Sequence, residues 1–286
     1  SFAPLLLGFG CSVPAILSTR RIETRSDRLV TIAVLPMMSC AGRLPIYMMF
    51  VSALFPSRLQ APVLFGIYAS GVLLALCCAR LLKNTLFKAP QRDSLHHMKR
   101  LRLPSLRKVG ILMWSRAFMY VRKAGTFILG ASIILWFLNT YPRPEENTAP
   151  TNAAAMEHSY AGQIGHWMEP VTQVAGFDWK INSALVGAFA AKEIFVTQMG
   201  ILYAVEDGNS GPAAQQTLNA RLKASYTPLQ GISIMIFCLI ALPCIGTVTV
   251  AKREAGTWWF ALAQFGGLTL LGFATATLIY QAGLLL

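Results

Sequence analysis

Residues 63–82 and Trp258–Leu284 are runs of about twenty or more residues in which Arg80 is the single charge. About 20 apolar residues cross the hydrocarbon core of a bilayer as a helix. In lipid every backbone N–H and C=O must be satisfied within the segment, which leaves helices or closed barrels. Barrel strands alternate in hydropathy over about ten residues, whereas these runs are continuous. Further runs at 29–55, 124–140, 183–204 and 229–250 approach the same length. With 55% hydrophobic and 13% charged residues, the composition excludes an ordinary soluble domain. The expected fold class is all-α, a polytopic transmembrane helical bundle.

Several of these runs are broken. Gly8-Phe9-Gly10-Cys11-Ser12-Val13-Pro14-Ala15 and Leu242-Pro243-Cys244-Ile245-Gly246-Thr247 each combine glycine, proline and one thiol. A third interruption is expected where Pro36, Arg43 and Pro45 flank Met37-Met38-Ser39-Cys40-Ala41-Gly42. Glycine permits unusual backbone angles and proline deletes a donor, so such stretches free carbonyls that lipid cannot satisfy. They predict half-helices meeting inside the protein, around a cavity or an ion.

The formal charge of +13 gathers in short connecting segments and forms no continuous basic face. It points to membrane orientation and away from nucleic acid. Residues 83–123 are strongly basic, with apolar residues interleaved at helical spacing from Leu106 to Met113. This segment is expected to lie as an amphipathic helix on the cytoplasmic surface against anionic lipid. It separates a first membrane segment, 1–82, from a second, 124–286, whose loop 141–181 is poor in Lys and Arg and therefore extracytoplasmic. Ser1 falls inside an apolar run with neither a starting Met nor a signal peptide, so the chain is expected to be a fragment. Cys11 precedes Arg20-Arg21 and Glu23 much as Cys244 precedes Lys252-Arg253-Glu254. If every run crosses, these two copies lie on opposite faces, as inverted gate-type repeats would place them.

Six cysteines lie in or beside apolar spans, without a disulfide framework. Cys77, Cys78 and Cys238 sit in unbroken helix and are expected to pack. Cys11, Cys40 and Cys244 adjoin breaks, where a thiol beside freed carbonyls suits a borderline divalent metal. Met37 and Met38 are core filler or soft ligands. Lys192 and Glu193 fall inside an apolar run, where charge is costly and marks a pathway or a buried partner. Neighbours on a helix do not face each other, so Glu193 is expected to ligate a cation, carry a proton or pair with Arg43. His158, His166 and Glu169 are expected in the outer loop, the last two at i,i+3 if that stretch is helical, and His96-His97 at the interface. Nothing resembles a catalytic motif.

Taken in order, the first break, Arg28-Leu29-Val30-Thr31-Ile32, Pro36 to Pro45, Ala190-Ala191-Lys192-Glu193, and Pro243 to Val248 with Lys252-Arg253-Glu254 resemble the membrane region of the ferrous-iron transport protein B family. That resemblance implies a bacterial inner-membrane Fe(II) importer with two gate-type halves and an N-terminal G-protein domain, absent here, that hydrolyses GTP. It implies Cys11, Cys40 and Cys244 as pore thiols and Glu193 as a transport carboxylate. Ser12, Met37, Ser39 and Thr247 are the further pore-lining candidates. Where the family often has Asn after the first gate Cys, this chain has Ser12. Implied partners are the G domain and small accessory cytoplasmic iron-transport proteins, and a homo-oligomer stays open. Two other readings compete: a gate-type carrier of a nucleoside or similar organic solute, and a membrane scaffold acting through residues 83–123.

Overall fold

A computed structural model describes residues 2–85, 105–142, 156–203 and 212–285. The basic stretch 86–104 with His96-His97, and the loop portions 143–155 and 204–211, lie outside the described residues. Helices α1 (Phe2–Gly8), α2 (Ser12–Ser18), α3 (Arg25–Val34), α4 (Leu44–Leu54) and α5 (Ser57–Thr85) are followed by α6 (Leu106–Thr140). Then come α7 (Tyr160–Thr172), α8 (Trp179–Ala190), α9 (Lys192–Tyr203), α10 (Pro212–Ser225), α11 (Pro228–Ile240), α12 (Ile245–Ala255) and α13 (Trp258–Leu285). Among the described residues no strand occurs, and four segments are long and apolar enough to cross a membrane: Arg25–Leu54, Ser57–Thr85, Pro228–Ala255 and Trp258–Leu285.

Two of those four are broken and two are not. The broken spans α3–α4 and α11–α12 are mostly buried, whereas α5 and α13 expose Phe65, Leu73, Trp259, Leu270 and Leu278. This is the arrangement lipid requires, with irregular backbone enclosed by protein and regular helices outside.

The remaining broken segments are hairpins. Leu5 and Ile16 pack in one cluster with Ile32 and Leu35, although a straight helix would hold them about 16 Å apart. Helices α1 and α2 therefore lie side by side, entering and leaving at one end. The same holds for α8 and α9. A Cβ added at Gly187 would collide with the side chain of Gln198, again about 16 Å away in a straight helix. Tyr226 joins the two outer ends of this second hairpin, donating to Asp178 Oδ2 at 2.8 Å and contacting the Tyr203 hydroxyl at 3.0 Å.

This corrects the expectation that 183–204 crosses, and with it the placement of everything downstream. Removing one crossing brings Glu254 to the same end as Arg20 and Arg28, and both contacts are made. Arg20 Nε donates to Glu254 Oε2 at 2.9 Å, and Arg28 reaches the same oxygen at 3.2 Å. Lys83 pairs with Asp27 at 3.1 Å nearby. This end gathers Arg20, Arg21, Arg25, Arg28, Lys83, Lys252 and Arg253, and we call it the basic end. Asp178, Tyr203 and Tyr226 mark the other.

Inverted repeats are present, but with different equivalences from those the cysteine spacing suggests. The first comprises hairpin α1–α2 from the basic end, broken span α3–α4 and unbroken span α5. The second comprises hairpin α8–α9 from the Asp178 end, broken span α11–α12 and unbroken span α13, each of opposite sense. Cys11 at one hairpin tip thus corresponds to the Ala191-Lys192 tip, and Cys40 corresponds to Cys244. The basic segment also differs from expectation. Helix α6 does not end at 123 but runs for 35 residues, about 52 Å, and its far end meets α7 where Tyr160 N donates to Tyr141 O at 2.8 Å.

Glu254 is nearly enclosed and binds two arginines from two other elements. Glu254→Ala, which strands Arg28 and part of Arg20, is expected to cost about 2–3 kcal/mol, read as a lowered melting temperature of the detergent-solubilised protein. At the opposite end, Asp178 caps α8 by accepting from Ile181 N at 2.9 Å, and burial holds its carboxyl above the usual range. The folded state therefore binds this proton more tightly than the unfolded chain, and the group's contribution is lost as pH rises from about 4. Asp178→Asn keeps a cap-competent side chain and is expected to flatten the melting temperature against pH between pH 4 and 7.

Candidate functional site

Four interruptions meet at the centre of the molecule. Each exists for a local reason. Pro14 has no N–H to give to Gly10 O, and Cys11 is extended at φ −155°, ψ 133°. Pro36 likewise cannot serve Ile32 O, and the chain passes through short 3-10 turns at Leu35–Met37 and Ala41–Arg43. Pro243 disfavours helix at the preceding Leu242, which takes φ 52°, a left-handed conformation costing about 1–2 kcal/mol for a non-glycine residue. The fourth break is at Ala191, extended at φ −150°, ψ 136°.

Their contacts close a ring. The carbonyl that Pro14 releases at Gly10 accepts from Ala41 N at 3.1 Å, joining the first break to the second. Gly42 lies against the tip of the second hairpin, so that a Cβ there would stand 2.6 Å from Glu193 Oε1. From that tip, the fourth break, Lys192 Nζ donates to Ala241 O at 3.2 Å, in the third. A Cβ on Gly246 would meet Val13 at 3.6 Å, which returns to the first hairpin. The released Ile32 carbonyl accepts from Gln264 Nε2 of α13 at 2.7 Å.

Two cations are buried here. Arg43 is 2% exposed and Lys192 5%; among the described residues neither forms a salt bridge within 4 Å. Arg43 donates to Met38 O at 2.9 Å. Ala241 caps the C-terminus of α11, where the dipole is negative, and Met38 follows the 3-10 turn Leu35–Met37 within the second break. Each of these two carbonyls is thus met by one resident cation. Glu193 does not pair with Arg43; its side chain is exposed at the edge of the site beside Gly42.

The thiols divide. Cys40, Cys238 and Cys244 lie within electrostatic reach of Lys192, and Cys11 sits half-buried at the first hairpin tip. Cys244 Sγ is 3.2 Å from Thr247 Oγ1. Ser12 and Thr247 are buried, and Met37 and Met38 lie in the core. Ser39 Oγ, Tyr47 Oη and Arg43 Nε are buried without a hydrogen bond of normal geometry, and the Ser39 and Tyr47 hydroxyls lie next to each other. Among the described residues no three His, Cys, Asp or Glu side chains gather as a metal cage. Cys77 is exposed on α5, contrary to the expectation that it packs, and Cys78 is half-buried. His158 is exposed; His166 and Glu169 do fall at i,i+3 on a helix, 3.2 Å apart, with Glu157 at 3.6 Å on the other ring nitrogen.

The break at Ala191 has no glycine or proline to announce it, and its one trace in the sequence is the charged pair that follows. Cys238, expected from sequence to pack, does so, fully buried in the main apolar core. The signal that would have paired the repeats correctly is Cys40-Ala41-Gly42 against Cys244-Ile245-Gly246, a shared Cys-x-Gly.

A family model described as Gate, nucleoside recognition, matches residues 1–54 and 121–258, and one described as the ferrous iron transport protein B C terminus matches 64–116. A Fe(2+) transport protein A/Fe(2+) transporter FeoB fusion protein of Porphyromonas gingivalis is 36% identical over all of this chain and 38% of its own length. The Fe(2+) transporter FeoB of Campylobacter jejuni is 38% identical over 93% of this chain and 43% of its own. That of Staphylococcus aureus is 34% identical over 99% and 40%. No solved structure matches the chain. The chain spans about two fifths of the length of these relatives, and by this similarity it belongs to the ferrous iron transport protein B family.

Proposed function

We propose that this chain forms the membrane pathway through which Fe(II) is imported, the ion passing between the hairpin tips and the two broken spans. The observation that carries this reading is the meeting of all four breaks at one buried place, where thiols of Cys40 and Cys244, freed carbonyls and the Ser39 hydroxyl offer mixed soft and hard donors. A cage would hold the ion; scattered donors let it leave. Cys11 and Ser12 at the first hairpin tip, and Glu193 at the mouth of the site, are the entry and exit candidates. Met37 and Thr247 shape its walls.

On this reading the basic end faces the cytoplasm of a bacterial inner membrane, in agreement with the positive-inside tendency. With the corrected topology Lys252 and Arg253 join it. Nucleotide hydrolysis enters through a G domain outside this chain, and the fusion found in the Porphyromonas relative favours a small accessory partner on the same side. The description of the gate model favours a second reading, a nucleoside carrier. Thiols at both Cys-x-Gly breaks favour metal.

Anaerobic Fe(II) uptake by cells expressing the full-length parent is expected to fall severalfold or more with Cys40→Ala, Cys244→Ala or Glu193→Gln at matched membrane levels. Uptake equal to wild type in all three removes these residues from the path. Inhibition of uptake by excess nucleoside, with Fe(II) uptake absent, would favour the carrier reading.

A further inference from the structure

The two cations at the breaks stand where a transported cation is drawn. Lys192 begins helix α9, a position whose dipole is unfavourable to positive charge. Its side chain is buried, and its ammonium donates across to Ala241 O, the terminal carbonyl of the half-helix α11. Among the described residues no carboxylate lies within ion-pair distance of it, although Glu193 is its neighbour in sequence. A residue that breaks a local rule in this way is expected at a working site. Arg43 holds a carbonyl at a break of the other repeat, Met38 O. The two differ in kind: the Arg43 guanidinium is a fixed planar fork, while Lys192 is a compact charge on a flexible stem, carried by the tip of a hairpin.

We infer that Lys192 is a tethered substitute for the transported ion. Its ammonium occupies the Ala241 carbonyl when the pathway is empty, and a divalent cation gains that carbonyl when Lys192 withdraws. The device keeps the freed carbonyl satisfied at every stage and sets the affinity low enough for release. It makes Lys192 a positioning residue that tunes ion affinity. This rests on the reading of the chain as a cation pathway.

The test is binding of Co(II), as an air-stable probe, and of Fe(II) under anaerobic conditions, to the full-length protein in lipid nanodiscs. Lys192→Gln retains a donor for Ala241 O and removes the charge, and Lys192→Arg retains the charge. Expected is a dissociation constant about tenfold or more lower for Lys192→Gln, with Lys192→Arg near wild type and melting temperatures of all three alike. If wild type binds and Lys192→Gln binds no tighter, or more weakly, the substitute-ion inference falls and the pathway reading stands. If none of the three binds either metal, both fall. Should Lys192→Gln lower the melting temperature, Lys192→Met, which removes the donor as well, must still tighten binding relative to wild type for the inference to hold.

Discussion

A carbonyl released inside a membrane has to find a donor within the protein, and the architecture here follows from that requirement. Each break orphans acceptors, Gly10 O and Ile32 O through a proline and Ala241 O through the end of its helix, and each of these is met by a specific group. Gly10 O takes the Ala41 amide, Ile32 O takes the Gln264 side chain, and Ala241 O and Met38 O take Lys192 and Arg43. An unsatisfied group of this kind costs several kcal/mol in hydrocarbon. The breaks are therefore enclosed, and the unbroken helices α5 and α13 are left to face lipid.

The helical class, the positions of three of the four breaks, and the thiols beside them were legible in the sequence, because glycine, proline and hydropathy act locally. The count of crossings was not. Residues 179–203 are apolar and long enough to span, and nothing in Ala190-Ala191 distinguishes a bend from a straight helix. The hairpin is imposed by tertiary contacts, namely the close approach of Gly187 to Gln198 and the tyrosine bridge to Asp178. One crossing fewer reverses every later element, which is why Lys252-Arg253-Glu254 joins Arg20 and Arg28 instead of lying on the opposite face.

The site was legible in its chemistry and not in its geometry. Cys40 and Cys244 were visible as thiols beside breaks, but their equivalence depends on recognising that α1–α2 and α8–α9 are both hairpins. Arg43 was visible as a charge near a break and as one of the alternatives for Glu193, the others being a cation and a proton. Its guanidinium turns instead to Met38 O, because the nearest unmet acceptor at that depth is backbone. Cys238 and Tyr47 carried no signal beyond composition.

Gln264 lies in the last helix and serves a carbonyl in the third, across 232 positions of sequence, and Glu254 binds Arg20 across 234. The first repeat consequently emerges from the ribosome with an acceptor it cannot satisfy from its own residues. It waits for the final helix before its interior is complete. Such long-range closure makes for slow assembly, and it makes the two repeats a single cooperative unit, unable to mature in the order in which they are made.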